Sequence, residues 1–334
     1  MLARNARTFL SSDFSQGSTS IFAPAGTPAH SIFSLSMLVL GITFAIFLIV
    51  AGLLLYAIVR YRHRASDADA SQEPPQIYGS NQIELSWTVI PILIVVLLFL
   101  ATTRIILSTQ NAPKPAAALD VTVVGHQFWW EFSYPKLGIV TANELHIPVS
   151  DPKHPTPTYL TMTSADTDHS FWVPRLAGKM DLIPNQINTM WLDPQAAGLY
   201  LGQCAQYCGV EHAKMLIRVY ADSPADFAAW VARQQKPAVN SDDPTAAGRA
   251  IFQHSVCISC HTVAGTVATG RFGPDLTHLA SRDTIASGSV PNTPANLRAF
   301  VDNPAHFKPG ALMPAMHLNQ HDLDAVTAYL ATLK

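Results

Sequence analysis

The sequence predicts a multidomain membrane protein with three parts: a two-helix transmembrane hairpin, a β-sandwich and an all-α C-terminal domain. Its 334 residues fit about two or three domains. Only 13% of the residues are charged, whereas about a quarter is usual in soluble domains, so part of the chain avoids water. Two long uncharged stretches stand near the N-terminus, short β-type segments follow them, and helical periodicity returns after residue 245.

Charge and cysteine content exclude two classes of protein. The formal net charge is -2, which gives no general attraction for a polyanion, and we therefore expect no nucleic-acid partner. The chain has only 4 cysteines, which excludes a disulfide-rich scaffold. These cysteines form two closely spaced pairs, an arrangement that is typical of metal or redox sites.

Two transmembrane helices are predicted within residues 31–112, at about 31–59 and 85–108. Neither 31–59 nor 85–103 carries a charged side chain, and about 20 apolar residues span a bilayer. A signal peptide is the alternative interpretation of the first stretch, but the apolar segment of a signal peptide has only about 7–15 residues. We therefore expect the lipid bilayer to be a partner of this chain.

Arginines determine the expected orientation of the hairpin. Arg60, Arg62 and Arg64 follow the first helix directly, and cytoplasmic loops are enriched in basic residues. The loop 60–84 is therefore predicted to be cytoplasmic. The N-terminal tail 1–30 and everything after the second helix then lie outside a bacterial inner (plasma) membrane, in the periplasm or its equivalent. We expect this tail to be loose, because few of its apolar residues have helical spacing.

Glu84 and Pro91 mark the second predicted helix. Pro91 lies inside the helix and can kink it. Glu84 stands at the start of the helix, where the helix dipole favours an acidic side chain. The alternative is a proton-uptake group at the membrane surface. The residues alone leave both interpretations of Glu84 open.

The middle of the chain, residues 113–236, is predicted to form a β-sandwich or barrel. Short β-type segments separated by Pro, Gly, Asn and Asp predict strands at 119–124, 128–134, 159–163, 186–192 and 215–220. A helix is expected at 223–235, because Ser223 is a suitable N-cap and a proline follows it in the first turn.

The last part of the chain is predicted to be a separate helical domain. The polar, proline-containing residues 237–244 are a predicted linker. Within residues 245–334, helical spacing of apolar residues is clearest at 246–252, 294–302 and 320–333. The sequence therefore predicts an all-α third domain that begins at about residue 245.

The motif CISCH in the third domain predicts a covalently bound c-type haem. In this spacing Cys257 and Cys260 bind the haem vinyl groups, and His261 is the proximal ligand of the iron. A structural zinc site would need further Cys or His at finger spacing, and a redox-active cysteine pair would need a strand–helix context. Neither is evident near this motif.

A methionine is the predicted second axial ligand of the haem iron. Met313, in the segment PGALMP, is the preferred candidate, and Met316 is the alternative. A thioether ligand raises the potential of a haem, which suits an electron carrier.

The other cysteine pair lies in CAQYCGVEHAKM, residues 204–215. Two thiolates, an imidazole and a thioether form a soft donor set, which selects copper. These donors are Cys204, Cys208, His212 and Met215. A blue-copper site uses one cysteine, whereas two cysteines at this spacing can bridge a pair of copper ions. A disulfide between the two cysteines is the alternative, but it leaves the imidazole and the thioether without a role.

Each copper ion of such a pair needs an imidazole ligand. His212 supplies one, and the other must come from elsewhere in the sandwich. His169, which precedes the aromatic run SFW, is the preferred candidate. His126 and His146 are the alternatives, and both also suit ordinary positions in strands or turns.

These motifs resemble subunit II of haem–copper cytochrome c oxidases, in the form with a fused C-terminal cytochrome c domain (the caa type). The resemblance covers nearly the whole chain. Its most specific motif is the segment 204–215, which is similar to the binuclear CuA signature. DHSFWVP at 168–174 resembles the segment with the first imidazole ligand of the family, and VGHQFWW at 124–130 resembles the aromatic stretch at the electron-input face. ELSWTVIP at 84–91 resembles the start of the second helix.

The resemblance implies a cupredoxin-like sandwich with a CuA centre of two copper ions, and a cytochrome c domain with one covalently bound heme c. The implied copper ligands are His169, Cys204, Gln206 through its backbone carbonyl, Cys208, His212 and Met215. Electron input is implied for Phe128, Trp129 and Trp130. Glu84 corresponds to an acid that the family associates with the entrance of a proton channel into subunit I.

Two positions depart from the family pattern. Gln206 stands where the family usually has Glu, whose side chain also holds magnesium or manganese at the interface with subunit I. Phe128 stands where the aromatic stretch often begins with Trp. We therefore expect the interfacial metal to be absent or weakly held, and electron input from an external cytochrome to be weaker at this stretch.

The implied function is electron relay in a terminal respiratory oxidase. Electrons would pass from cytochrome c or another donor through the haem and the copper pair to the haem–copper centre of subunit I, where dioxygen is reduced to water with proton pumping. Subunit I and other oxidase subunits are the implied partners, and no catalytic dioxygen site is expected in this chain. The alternative is the electron-input subunit of a CuA-containing nitric oxide reductase. A nitrous oxide reductase would need a large His-rich domain, and a copper chaperone would not need a covalent haem.

Overall fold

The computed structural model describes residues 19–62, 76, 78–110, 114–116, 118–151, 155–237 and 245–334. The chain divides into two compact units: Ser31–Asn111 forms one, and Met1–His30 together with Ala112–Lys334 forms the other. The first unit contains most of two long helices, and the second contains two β-sheets and the C-terminal helices. The predicted linker lies outside the described residues except for Pro237.

Two long apolar helices form the first unit. Helix α1 spans Thr27–Arg60 and helix α2 spans Asn81–Gln110, and both are long and apolar enough to cross a membrane. Hydroxyl groups within them bond to carbonyls of the preceding turn, as Thr43 Oγ1 does to Val39 O at 2.9 Å, so these polar groups are satisfied inside the helix. Both helices begin before the predicted residues, because an uncharged run marks the apolar segment rather than the end of the helix. Helix α2 continues through Pro91.

Part of the N-terminal tail is bound to the sandwich. The backbone N–H of Ala25 donates to Arg175 O at 2.7 Å, and Arg175 Nε donates to Ala23 O at 2.8 Å. Gly26 forms a β-bridge with Pro194. The expectation of a loose tail is therefore wrong for residues 23–27, because these backbone groups have partners on the sandwich. Residues 1–18 of the predicted tail lie outside the described part of the chain.

Two five-stranded sheets form the sandwich. Their strands are β1 Leu119–His126, β2 Trp129–Tyr134, β3 Ile139–Ala142, β4 Glu144–Pro148, β5 Thr158–Ser164, β6 His169–Trp172, β7 Met180–Leu182, β8 Asn188–Leu192, β9 Gly198–Cys204 and β10 Leu216–Asp222. One sheet has the order β3-β2-β1-β5-β8 and the other has the order β4-β10-β9-β6-β7. Strand β1 pairs antiparallel with β2 and parallel with β5, and β10 pairs antiparallel with β9 and parallel with β4.

The core lies between the two sheets. Along β5 every second residue is buried, as expected for a strand with one face toward the core. Phe132 of one sheet meets Phe171 of the other edge to face, with ring centroids 6.4 Å apart. A strand is present at each predicted segment. Strands β3, β4, β6, β7 and β9 were not predicted, because they are short or are interrupted by glycine and polar residues.

Helix α3, Pro224–Gln234, covers one edge of the sandwich. Ser223 is its N-cap as predicted, since the Ser223 hydroxyl accepts a hydrogen bond from the Asp226 N–H at 3.1 Å. Trp230 of this helix is buried, and its ring centroid lies 5.2 Å from that of Tyr134. The aromatic contact therefore attaches the helix to strand β2.

The C-terminal domain consists mainly of helices. They are α4 Ala246–Gln253, α5 Cys257–Cys260, α6 Pro294–Asp302 and α7 Gln320–Leu330, with a short hairpin of β11 Thr284–Ile285 and β12 Val290–Pro291. Helices α4 and α7 pack together through Phe252 and Tyr329, whose ring centroids are 5.8 Å apart. The domain has its own core, separate from that of the sandwich. This arrangement confirms the predicted fold class.

Candidate copper and haem sites

The predicted copper ligands lie at one end of the second sheet. Residues 204–215, hereafter the copper loop, connect β9 to β10 and contain a single turn of 3-10 helix at His212–Lys214. Cys204 is the last residue of β9 and pairs with Phe171 of β6. His169 begins β6. The pairing of β6 with β9 therefore brings a histidine that is distant in sequence next to the copper loop.

The structure brings all six predicted copper ligands together. The sulfur atoms of Cys204 and Cys208 are 3.9 Å apart, and the carbonyl of Gln206 lies 3.1 Å from the Cys204 sulfur. His169 Nδ1 lies 3.9 Å from the Cys204 sulfur. His212 Nδ1 and Met215 Sδ lie 3.7 Å and 3.9 Å from the Cys208 sulfur. The two cysteines are free, and their separation is far longer than the roughly 2.05 Å of a disulfide.

The alternative histidines have other surroundings. His126 stacks on Trp129 with ring centroids 4.1 Å apart, and burial lowers the pKa of His126 to about 4. His146 Nδ1 lies 2.8 Å from a carboxylate oxygen of Asp222, and its ring stacks on Tyr220. Their rings are therefore held by neighbours other than the cysteine pair.

A partly exposed carboxylate orients His169. The Nε2 atom of His169 lies 2.8 Å from Asp166 Oδ1. An ionised carboxylate only accepts hydrogen bonds, so Nε2 carries the proton and Nδ1 keeps its lone pair toward Cys204. Burial raises the pKa of Asp166, but hydrogen bonds from His169 and from the backbone N–H groups of Gln127 and Thr167 outweigh it, and the net shift is downward. Asp166 thus stays ionised and fixes the tautomer that a metal ligand requires.

The cysteine pair favours a bound cation. A hydrogen bond from Cys208 lowers the pKa of the Cys204 thiol, and the same contact raises the pKa of Cys208. The first proton is therefore lost easily, whereas the second loss would leave two thiolates side by side in a buried site. Copper ions would remove that repulsion, and the donor set of sulfur, imidazole and carbonyl suits them. The residues fit the predicted copper pair.

The haem-attachment motif borders a large apolar cavity. The cavity has a volume of about 440 Å³. Cys257, Cys260 and His261 line it, together with both candidate methionines, Met313 and Met316. The assignment of the second axial ligand to Met313 stays a prediction, because both methionines border the same cavity.

A hydrogen bond orients His261 for metal ligation. Its Nδ1 atom lies 2.7 Å from the carbonyl oxygen of Pro274. A carbonyl can only accept, so Nδ1 carries the proton and Nε2 is left with the free lone pair. Burial lowers the pKa of His261, which favours the neutral imidazole that binds iron. The ring is thus fixed in one tautomer before any metal is bound.

Arg282 adds a buried cation to the wall of the cavity. One of its terminal nitrogens donates to the carbonyl of Asp275 at 2.5 Å. Its Nε atom is buried and has no hydrogen-bond partner among the residues that the structure describes. Burial also lowers the pKa of this guanidinium. A carboxylate of a haem would satisfy it, so the cavity fits a haem in charge as well as in size.

The predicted electron-input residues lie near the two candidate sites, and Phe128 touches both. Phe128 and Trp129 line the apolar cavity, and each is only 7% exposed. The Phe128 ring packs on the copper loop: a Cβ atom added at Gly209 would lie 2.9 Å from Phe128 Cε1. Trp130 is fully buried, with its ring edge toward His169 at a centroid distance of 5.9 Å. The C-terminal domain of the same chain therefore covers this stretch, and the input role of its residues stays a prediction.

Glu84 lies in the first turn of α2, and Thr88 Oγ1 donates to its backbone carbonyl at 2.8 Å. Its proton-uptake role stays a prediction.

Several charged residues at the interface of the sandwich and the C-terminal domain were missed from the sequence. The buried carboxylate of Glu144 accepts hydrogen bonds from Thr284 N–H at 2.8 Å and from Asp283 N–H at 3.1 Å, and burial raises the pKa of Glu144. Lys308 Nζ donates to Phe128 O at 2.7 Å, and burial lowers the pKa of Lys308 to about 8. Single charged residues carry no spacing signal, so only the fold reveals their partners.

Three family models match consecutive parts of the chain. "Cytochrome C oxidase subunit II, transmembrane domain" matches residues 15–105, "Cytochrome C oxidase subunit II, periplasmic domain" matches 152–221, and "Cytochrome c" matches 245–334. These matches and the fold define a multidomain membrane protein of a respiratory oxidase. The periplasmic-domain match implies a CuA centre, and the cytochrome c match implies haem c.

Relatives match over nearly the full length. Cytochrome c oxidase subunit 2 of Alkalihalophilus pseudofirmus is 31% identical over 98% of this chain and 94% of that protein. Cytochrome c oxidase subunit 2 of Bacillus sp. (strain PS3) is 35% identical over 81% of this chain and 80% of that protein. The crystal structure of the periplasmic domain of subunit II of cytochrome oxidase from Bradyrhizobium japonicum is 27% identical, with a TM-score of 0.34, and covers 37% of this chain and 97% of that one.

The chain belongs to the cytochrome c oxidase subunit II family, in the form with a fused C-terminal cytochrome c domain. It is therefore a subunit of an oxidoreductase, and membership of this family implies subunit I and other oxidase subunits as partners. The two apolar helices agree with an inner membrane protein that has extracytoplasmic domains. The predicted family and enzyme class are confirmed.

Proposed function

We propose that this chain is the electron-input subunit of a terminal respiratory oxidase. It accepts electrons from cytochrome c or another donor on its cytochrome c domain and delivers them from its copper domain to the haem–copper centre of subunit I. Dioxygen is reduced to water there, with proton pumping. When bound, the heme c and the two copper ions supply one-electron redox chemistry at nearly fixed geometry.

The observation that carries the proposal is the convergence of six donor groups at the copper loop. The two cysteine sulfurs are 3.9 Å apart, and each of the other four donors lies within about 4 Å of one of them. The six come from only two parts of the chain, residue 169 and residues 204–215. The proposed ligands are His169, Cys204, Gln206 O, Cys208, His212 and Met215. For the haem the proposed ligands are His261 and Met313, with covalent bonds from Cys257 and Cys260.

Packing between the two sites supports transfer within the chain. Phe128 borders the haem cavity and also packs on Gly209, the residue after Cys208. Gln127 Nε2 donates to the carbonyl of Cys208 at 2.6 Å. Residues of one short stretch thus touch both sites and exclude water from the space between them, which suits electron transfer with little solvent rearrangement.

The outer side of the copper loop supports delivery to a partner. Tyr207 is 73% exposed and Val210 is 77% exposed, although both stand next to buried ligands. Exposed apolar residues at such a place are typical of an interaction surface. We assign this surface to subunit I.

The proposed topology follows the prediction. The loop 60–84 lies in the cytoplasm, and the N-terminus and the C-terminal domains lie in the periplasm or its equivalent. The proposed domains are the tail 1–30, the hairpin 31–112, the CuA domain 113–236, the linker 237–244 and the cytochrome c domain 245–334. Glu84 is the proposed proton-uptake residue on the side of the loop.

Flash photoreduction of the purified, assembled oxidase tests the relay. After an electron is injected into the heme c, we expect haem reoxidation to coincide with loss of the copper absorption in the near infrared. Cys204→Ser should stop this reoxidation, and Phe128→Leu should slow it. Phe272→Leu is the matched control, because Phe272 also lines the cavity but is 62% exposed. Reoxidation at an unchanged rate in Cys204→Ser would contradict the relay.

A further inference from the structure

The segment just before Met313 packs against the copper loop. Glu211 Oε1 accepts a hydrogen bond from the backbone N–H of Gly310, with an N···O distance of 3.1 Å. Lys214 Nζ donates to the carbonyl oxygen of Phe307 at 2.7 Å. Residues 307–310 are hereafter the junction segment. Two side chains of the copper loop thus hold two backbone groups of the cytochrome c domain.

The contact at Gly310 is as close as the backbone permits. A Cβ atom at this position would overlap Cγ2 of Val210 and lie 3.1 Å from Cγ of Glu211. Glu211 is only 4% exposed, and its Oε2 atom is buried without a hydrogen-bond partner in the described ranges. A buried carboxylate with so few partners depends strongly on each contact that it makes.

The residues that hold the junction segment alternate with predicted copper ligands. Glu211 directly precedes His212, and Lys214 directly precedes Met215. All four lie on or beside the single 3-10 turn of the copper loop. A change in the position of this turn would therefore move the ligands and the junction contacts together.

The junction segment is further anchored on the sandwich side. Lys308 is buried, and its Nζ atom donates to Phe128 O at 2.7 Å and to Ser287 Oγ at 2.9 Å. Only Ala311 and Leu312 separate the segment from Met313. The position of the methionine relative to the haem cavity is therefore set through contacts with the copper domain.

We propose that Glu211 and Lys214 are positioning residues that couple the two redox sites: copper binding orders the copper loop, and the junction contacts then hold Met313 in place for ligation of the haem iron. This proposal rests on the proposed function, because it requires both sites. Coupling of this kind is reciprocal, so methionine ligation must strengthen copper binding by the same factor.

Competition by imidazole measures the coupling in the full-length chain. Added imidazole binds the ferric haem by displacing the methionine sulfur, so its dissociation constant reports how firmly the methionine is held. We compare the chain grown without copper with the same chain after copper is restored. We expect copper to weaken imidazole binding by about fivefold or more, the lower end of typical coupling between two sites. The copper EPR spectrum of each sample verifies that imidazole leaves the copper site intact.

Substitutions at the junction distinguish coupling between the two sites from a general contribution of these residues to folding. Glu211→Leu removes the acceptor, and we expect the effect of copper on imidazole binding to fall below about twofold. Glu211→Gln keeps an acceptor oxygen for the Gly310 N–H and should keep the effect. Lys214→Met should weaken it, whereas Lys136→Met, at an exposed lysine paired with Asp120, should not.

Gly310→Ala tests the junction from the haem side, where no copper ligand is near in sequence. The added methyl group must push the segment away from Val210, so the effect of copper should again fall while the copper content stays unchanged. The coupling would be overturned if the dissociation constant of imidazole were the same with and without copper in an unmodified chain that shows both the copper EPR signal and the haem absorption. If those two signals were absent from the unmodified chain, the proposed function would fail and the coupling with it.

Discussion

The copper loop and the haem segment build their sites in opposite ways. All but one of the proposed copper ligands lie in residues 204–215, between two neighbouring strands, and the remaining one is on an adjacent strand. The proposed haem ligands are far apart in sequence, and Met313 lies on irregular chain between α6 and α7. The copper donors already touch one another, whereas the haem residues surround a cavity of about 440 Å³. The sandwich therefore brings its donors into contact through strand pairing, whereas the cytochrome c domain arranges its donors around the space that a haem would fill.

Removal of each cofactor should give the largest difference between the two regions. Loss of the group that fills this apolar cavity would leave many core side chains of the C-terminal domain without packing partners, and domains are only marginally stable. We expect a haem-free chain with Cys257→Ser and Cys260→Ser to lose protease resistance within residues 245–334. The copper-free, unmodified chain should keep its sandwich resistant. A protease-resistant C-terminal domain in the haem-free chain would contradict this difference between the two regions.

Loss of one bridging sulfur should abolish the copper pair. We expect Cys204→Ser to remove both copper ions, because one thiolate cannot hold two ions together. The unmodified chain should give the seven-line EPR pattern of a mixed-valence pair, and this variant should not. Haem content serves as the internal control and should stay at one per chain. A four-line pattern from one copper ion in the unmodified chain would argue against a binuclear site.

Loss of a haem ligand should have a smaller effect than loss of a copper ligand. We expect Met313→Ala to remove the weak near-infrared band of methionine-ligated haem while the haem stays attached, because attachment depends on Cys257 and Cys260. Met316→Ala is the matched control and should keep the band. The opposite result for the two variants would show that Met316, and not Met313, is the second axial ligand.

Acid should destabilise the sandwich through His126. Burial lowers the pKa of His126 to about 4, from an ordinary value near 6.5. The unfolded chain therefore binds this proton first, and the folded state loses stability as the pH falls from about 6.5 to 4. We expect the loss to be about 3 kcal/mol. In His126→Asn, calorimetry of the thermal unfolding of the sandwich should no longer show this loss of stability between about pH 6.5 and 4. If both chains lost stability identically as the pH falls, His126 would not be the cause of the acid sensitivity.

The smallest expected effect concerns a metal that is not part of either site. The proposed copper ligand at Gln206 is its backbone carbonyl, so the Gln206 side chain would not take part in copper binding. An amide is a poor substitute for a carboxylate around a hard divalent ion. We expect Gln206→Glu to increase manganese in the assembled oxidase from cells grown with manganese, with unchanged copper. Stoichiometric manganese in the unmodified oxidase, detected by EPR, would contradict this.

Sequence reasoning was most specific where the chemistry is local. The copper loop and CISCH carry their donors at fixed spacing, so the donor types alone define the chemistry. His169 could be ranked above His126 and His146 only by its aromatic neighbours, and the pairing of β6 with β9 gives the physical reason for that rank. The two apolar helices were equally clear, because their signal depends on composition rather than on packing.

The interface between the two extramembrane domains could not be predicted. Glu144 and Lys308 have no charged neighbour in the sequence, and Arg282 has only Asp283 beside it; their burial exists only because distant segments meet. Residues 23–27 were missed for the same reason, since their partners are backbone groups of the sandwich more than a hundred residues later. The choice between Met313 and Met316 depends on the course of an irregular segment, which has no periodicity to reveal it.

In the proposed relay, the covering of Phe128 and Trp129 would change the kinetic order of electron input. A dissolved donor must find its acceptor by collision, so its rate rises with concentration and falls on dilution. Here the aromatic stretch is already in contact with the domain that would supply it, so in the proposed relay this transfer would be unimolecular and insensitive to dilution. Only the first encounter, on the cytochrome c domain, should depend on how much donor the periplasm contains. In the proposed relay, each chain would also hold one electron on its cytochrome c domain, beside the copper domain, before that electron is passed on.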